Sequence, residues 1–80
     1  MRVFRLLFTI FDPASGDSPT ELASVTVLAP TGLKADGLST AFMVMGARRS
    51  HALAAHLPGV DLLTIGKDGQ RWKSAGFPSA

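Results

Sequence analysis

Residues 25–46 read VTVLAPTGLKADGLSTAFMVMG, and the fold follows from how this stretch divides. Alternating β-branched residues run up to Pro30, which cannot donate to a sheet ladder and so ends a strand. The pattern reaches back to Leu22, giving a strand from Leu22 to Ala29. By alternation Ala23, Val25, Val27 and Ala29 are expected to face the core, with Ser24, Thr26 and Leu28 on the other side. Thr31-Gly32-Leu33-Lys34 reads as a turn, and the helix is expected to begin near Ala35-Asp36. Asp is a favoured N-cap and suits the positive end of a helix. Leu38, Ala41, Phe42 and Met45 recur at helical spacing and form the expected buried stripe, which Gly46 closes.

Upstream, Val3 to Phe11 is rich in β-branched and aromatic residues and is expected to be a strand buried on much of both faces. Residues 12–19 hold prolines, a glycine and turn-forming polar residues, the composition of a loop. Downstream, Ala47 to Leu57 is a second helix with Leu53 and Leu57 on one face, and Pro58-Gly59 ends it. Val60 to Ile65 is a third strand. Gly66-Lys67-Asp68-Gly69-Gln70 is a hairpin turn with Asp-Gly at its tip, and Arg71 to Ala75 is the fourth strand. Arg71 and Lys73 share one face of it and Trp72 takes the other. The expected architecture is α+β: an antiparallel sheet with helices on one face, in the order β-β-α-α-β-β.

Eighty residues allow one domain at most. A chain of this size buries a small share of its surface, and without cysteine it has no disulfide or thiolate metal site to compensate. Yet 46% of the residues are hydrophobic, which excludes a disordered chain. An upstream partner chain or homo-oligomer is therefore expected to complete the core. The net charge of +2 is spread over the chain, with Arg48-Arg49 the only adjacent cationic pair, so no nucleic-acid partner is expected. No apolar run approaches the ~18 residues that span a membrane. Arg5 interrupts the apolar N-terminal run, Asp12-Pro13 stops it and no small-residue cleavage site precedes them, so it reads as a strand and not a signal peptide.

The densest cluster of oxygen donors is Asp36, Ser39 and Thr40. Asp36 and Thr40, four apart, share one helical face, and Ser39 lies on the adjacent flank. A carboxylate with hydroxyls, lacking sulfur or imidazole, suits Mg²⁺ better than zinc, and Mg²⁺ commonly completes its shell with phosphate and water. The helix start would itself attract a phosphate. The structural alternative is an Asp36 N-cap with Ser39 and Thr40 bonded back to the preceding turn. His51 and His56 are five apart, do not share a helical face, and are expected in solvent. Phe42, Met43, Met45 and Trp72 are expected in the core, and Asp12 either caps its own turn or serves the site.

Three linked segments carry a resemblance. Thr9-Ile10-Phe11-Asp12-Pro13-Ala14-Ser15-Gly16 resembles the H-I-I-D-P-x-T-G segment of the ApbE family, the FAD:protein FMN transferases. Leu22 to Thr31 resembles that family's next strand, and Ala35-Asp36-Gly37-Leu38-Ser39-Thr40-Ala41 its A-D-A-L-A-T-A helix start. Met43-Val44-Met45-Gly46, Leu57-Pro58-Gly59-Val60 and the closing hairpin continue the likeness, which covers about residues 9 to 74.

The resemblance implies Mg²⁺-dependent transfer of FMN from FAD, as substrate, to a Thr or Ser hydroxyl of a target protein. It implies Asp36, Thr40 and the position of Ser39 as metal ligands, and Ile10 with Thr9 beside the flavin dinucleotide. Thr9 stands where the family has its His, and Ser15 where it has Thr. Family members are several times longer, so the chain is expected to be the C-terminal portion of a larger ApbE-like domain. A periplasmic or membrane-associated setting is the family's, though this sequence has no cysteine to accept a lipid. The competing expectation is a non-catalytic module that self-associates through its sheet edges and ignores flavin.

Overall fold

The computed structural model describes residues 5–12 and 22–78. Its elements are β1 (Leu6–Phe11), β2 (Leu22–Ala29), α1 (Gly32–Met45), α2 (Ala47–Ala54), β3 (Asp61–Gly66) and β4 (Arg71–Lys73). They form one four-stranded antiparallel sheet in the order β1-β2-β3-β4, the α+β arrangement expected from the sequence. The first residues of the expected N-terminal strand and nearly all of the expected loop at 12–19 lie outside the described residues.

The registers separate the two faces of the sheet. Ile10, Val25 and Thr64 lie side by side, as do Phe8, Val27 and Leu62, on the face that α1 and α2 cover. Val25, Val27, Ala29, Ala35, Phe42 and Leu62 are fully enclosed there. Burial of this apolar face against the helices is the main stabilising term, at roughly 25 cal/mol per Å² removed from water. Thr9, Thr26 and Leu63 mark the opposite face, where Thr9 Oγ1 and Thr26 Oγ1 share a 2.8 Å hydrogen bond. Ser24, Thr26 and Leu28 are buried on this face although no helix among the described residues covers it. β2 is flanked on both sides, so neighbouring strands screen even its polar residues.

Several boundaries and surfaces depart from the sequence reading. β1 is not buried on both faces: Leu7 is 60% and Phe11 73% exposed, because β1 is an edge strand. α1 starts at Gly32, not near Asp36, since Thr31 is the N-cap and its side chain accepts from Lys34 N at 3.1 Å. Its buried line is Ala35, Ser39 and Phe42; Leu38 and Met45 are half-buried and Ala41 is exposed. α2 stops at Ala54 and buries Ala47, Ser50 and Ala54, while Leu53 is exposed. Trp72 is half-exposed, not core.

Gly46 joins the helices with φ 85°, a conformation that side chains disfavour, and its N–H donates to Phe42 O at 3.0 Å. Ser50 Oγ donates to the same carbonyl at 3.0 Å, so Phe42 fastens both helices to one point. The Asp-Gly hairpin forms as expected: Gly66 N donates to Gln70 O at 2.8 Å and Gly69 takes φ 89°.

His51 also departs from expectation: it is half-buried and not in solvent. Its Nε2 lies 3.0 Å from Thr64 Oγ1, and its ring meets Trp72 edge-on at 6.5 Å. Burial pushes its pKa below the ordinary histidine value, against an upward pull from a backbone hydrogen bond at Trp72. The unfolded chain therefore binds the proton more tightly than the folded one. Stability from this source is full above the ordinary value of about 6.5 and is lost as pH falls through the lowered one. The melting temperature should drop between pH 7 and pH 5, and His51→Gln should flatten that slope. An unchanged slope in the variant would place the titrating group elsewhere.

Candidate metal and dinucleotide site

Because Thr31 caps α1, Asp36 sits in the second turn and leaves the helix start to Thr31 and Lys34. That removes capping as the reason for a carboxylate here, and it also removes the helix end as a phosphate cradle beside Asp36. Asp36 is exposed, and among the described residues its carboxylate has no hydrogen bond or ion pair. Thr40, one turn on, is exposed as well, and its Oγ1 donates to Asp36 O at 3.2 Å. The bond uses the hydroxyl proton and leaves the oxygen lone pairs available to a cation.

Ser39 is placed differently. It is fully buried in the stripe with Ala35 and Phe42, and its Oγ donates to Asp36 O at 2.8 Å. The two hydroxyls thus meet at one backbone carbonyl from opposite flanks, one inside the packing and one outside. The structure brings Asp36 and Thr40 together on an open surface and turns the Ser39 side chain inward.

Thr9 and Ile10 occupy the sheet edge. Ile10 points to the helix-covered face and packs half-buried against the core; Thr9 points to the other face. Asp12 N donates to Ala23 O at 2.9 Å, so by ladder alternation Ile10 bonds inward to Val25. The backbone groups of Thr9 and Phe11 then face outward, and no described strand lies beyond them. Asp12 itself forms an ion pair with Lys67 at 3.3 Å, across to the hairpin.

As a test of fit, Asp36 and Thr40 supply hard oxygen donors suited to Mg²⁺, and the rest of a six-fold shell must come from phosphate, water or other chain. Among the described residues no group of three His, Asp or Glu side chains forms a self-sufficient metal centre. The sequence reading missed His51–Thr64–Trp72 and the linkage of Arg5 to Asp61, whose members are far apart in the chain and carry no spacing signal. No described helix is long and apolar enough to cross a membrane.

Comparison with known proteins adds to this geometry. The chain is 43% identical over 69 residues to the FAD:protein FMN transferase of Treponema pallidum, an alignment covering 85% of this chain and 19% of that protein. It is 38% identical over 66 residues to the protein of the same name from Klebsiella pneumoniae, covering 81% of this chain and 19% of the relative. The Salmonella typhimurium protein of that name is 39% identical over 67 residues, with 81% and 19% covered. The chain thus spans about a fifth of the length of the relatives it matches. No solved structure matches it. The sequence profile of the ApbE family matches residues 3–73, from the first strand to the last and through the Asp36–Thr40 turn, and the chain belongs to that family.

Proposed function

We propose that this chain carries the Mg²⁺-binding turn of an FMN transferase that moves FMN from FAD to a Ser or Thr hydroxyl of a target protein. The observation that carries the reading is the exposed Asp36 carboxylate, unpaired among the described residues, beside Thr40 and inside the stretch matched by the family. In the reaction, the acceptor hydroxyl oxygen bonds to the FMN phosphorus, the bond to the bridging pyrophosphate oxygen breaks, AMP departs and the hydroxyl proton goes to solvent. Mg²⁺ would neutralise phosphate charge there. Asp36 and Thr40 would hold the ion; Ser39 anchors the turn from inside, and its side chain would reach the ion only by turning out of the packing. The edge at Thr9 and Ile10 lies along the dinucleotide, with Thr9 offering its outward backbone groups.

The surroundings of the turn support a shared site. Leu33 and Val44, each 84% exposed, stand on the outer face of α1 with Gly37, Thr40 and Ala41. Large apolar side chains exposed on an outer helix face mark a surface that another chain can cover. A further chain carrying the rest of the family pattern, laid over this face, would complete both the core and the metal shell. The same exposed surfaces favour a second reading, self-association without flavin chemistry.

The test is Mg²⁺ titration and FMN transfer to an acceptor peptide, with and without that complementary chain. Asp36→Ala and Thr40→Val should each weaken Mg²⁺ at least tenfold while leaving the fold intact, since both side chains are exposed. Unchanged Mg²⁺ affinity, with no transfer even in the complemented protein, overturns the proposal. A tight homodimer indifferent to FAD and Mg²⁺ in sedimentation would establish the second reading.

A further inference from the structure

A cleft of about 460 Å³ opens between the α1–α2 junction and the β3–β4 hairpin. Met45, Gly46 and Ala47 lie on its helical side and Trp72 on its sheet side. Arg48, Arg49 and Asp68 supply its charge. It begins nine residues beyond Asp36 on α1, or about 13 Å along the helix axis, so it is separate from the metal turn.

Its electrostatics run against helix design. α2 starts with Gly46, which provides no capping side chain, and its first turn has no acidic residue. Arg48 and Arg49 instead put two cations where the helix dipole is already positive. Neither guanidinium is ion-paired among the described residues. Asp68 offsets one charge, but its Oδ1 accepts from Gln70 N at 3.0 Å within the hairpin. An anion in the cleft would relieve the repulsion, and arginine forks match phosphate oxygens.

The remaining wall is aromatic. Trp72 is 50% exposed, and its edge contact with His51 fixes the ring without covering it. An indole ring is a stacking surface for a heteroaromatic base. The space above Gly46 is open, with no atom within 4 Å of where a Cβ would stand. The volume suits a small molecule. We propose that this cleft binds an aromatic phosphate monoester of the nucleotide class, its phosphate on Arg48 and Arg49 and its ring against Trp72. The inference does not depend on the flavin-transfer reading.

Trp72 is the single tryptophan of the chain, so its emission reports the cleft directly. AMP should quench it saturably, with adenosine and inorganic phosphate each binding at least tenfold more weakly. R48A/R49A should weaken AMP at least tenfold, yet melt at the same or a higher temperature, because it removes like charges from a positive helix end. Chelating Mg²⁺ should change nothing. Absence of saturable quenching at millimolar AMP, or equal affinity in R48A/R49A, overturns the proposal. So does AMP binding that requires Mg²⁺, which would move the signal to the Asp36 turn.

Discussion

Phe42→Ala should be the most destabilising substitution of an apolar residue in this protein. Phe42 is fully enclosed between α1 and the sheet, within a cluster that includes Val25, Val27 and Leu62. Truncating a buried phenylalanine costs about 3–5 kcal/mol, from lost transfer energy and the cavity left behind. An 80-residue chain has roughly 4–12 kcal/mol in total, at about 0.05–0.15 per residue. One side chain is thus worth about a quarter of the stability or more. The loss should be larger here than elsewhere in the core, because the Phe42 carbonyl receives both Gly46 N–H and Ser50 Oγ–H. A shift of that residue loosens the joint between the helices as well. Urea denaturation checks the magnitude, with Leu33→Ala, at an 84% exposed position on the same helix, as a control expected within about 0.5 kcal/mol of wild type. A Phe42→Ala loss below about 1 kcal/mol would mean that the helix does not lie on the sheet through this residue.

The parts legible in the sequence are those governed by neighbours in the chain. Pro30 stops β2, Gly46 separates the helices, and Asp68-Gly69 turns the hairpin, each through its own backbone preference. The sequence puts the start of α1 near Asp36, a favoured cap, but Thr31 is a good cap as well. The competition went to Thr31, and the helix gained a turn whose residues, Gly32 and Leu33, look like loop. That same turn decides the site. It moves Asp36 off the helix end, keeps it beside Thr40 and leaves its carboxylate without a partner among the described residues.

What the sequence concealed depends on position within the sheet. The pattern of β1 reads as buried, and only its edge location explains why Leu7 and Phe11 are exposed. Thr26 reads as a surface residue and is buried because strands flank it on both sides. Ser39 lies on the flank of the Asp36–Thr40 face, and that flank is the one α1 packs against the core. The two edges also differ. β4 has three residues, two of them cationic, which discourages pairing with another strand. β1 is longer and uncharged and lacks that protection.

Asp61→Ala should be the most damaging substitution of a polar residue. Asp61 Oδ1 accepts from Ser74 Oγ at 2.6 Å, and Oδ2 is ion-paired with Arg5 Nη1. Ser74 Oγ accepts in turn from Leu62 N at 3.0 Å, and Arg5 Nη2 reaches Gly76 O at 3.4 Å. One carboxylate therefore joins the segment entering β1, the start of β3 and the segment leaving β4. Burial alone would raise its pKa, but the Ser74 hydroxyl, the Arg5 guanidinium and the Gly76 backbone together hold it below the usual carboxylate range. Its stabilising effect is present above the ordinary value of about 3.9 and is lost as pH falls through the lowered one, well below the histidine step. The two side chains are 25% and 16% exposed, so the pair stands between a screened surface bridge and a buried one. Removing the carboxylate strands the Arg5 charge and one Ser74 donor, at a cost of about 2–4 kcal/mol. Asp61→Asn keeps an acceptor for Ser74 and should cost less. Adding Arg5→Met to Asp61→Ala should recover part of the loss, because the stranded charge goes with it. Gly76→Ala offers an independent route to the same knot: its Cβ would come within 2.6 and 2.8 Å of the Asp61 oxygens. If Asp61→Ala costs under about 0.5 kcal/mol in urea, the pair is screened by water and the sheet closes without it.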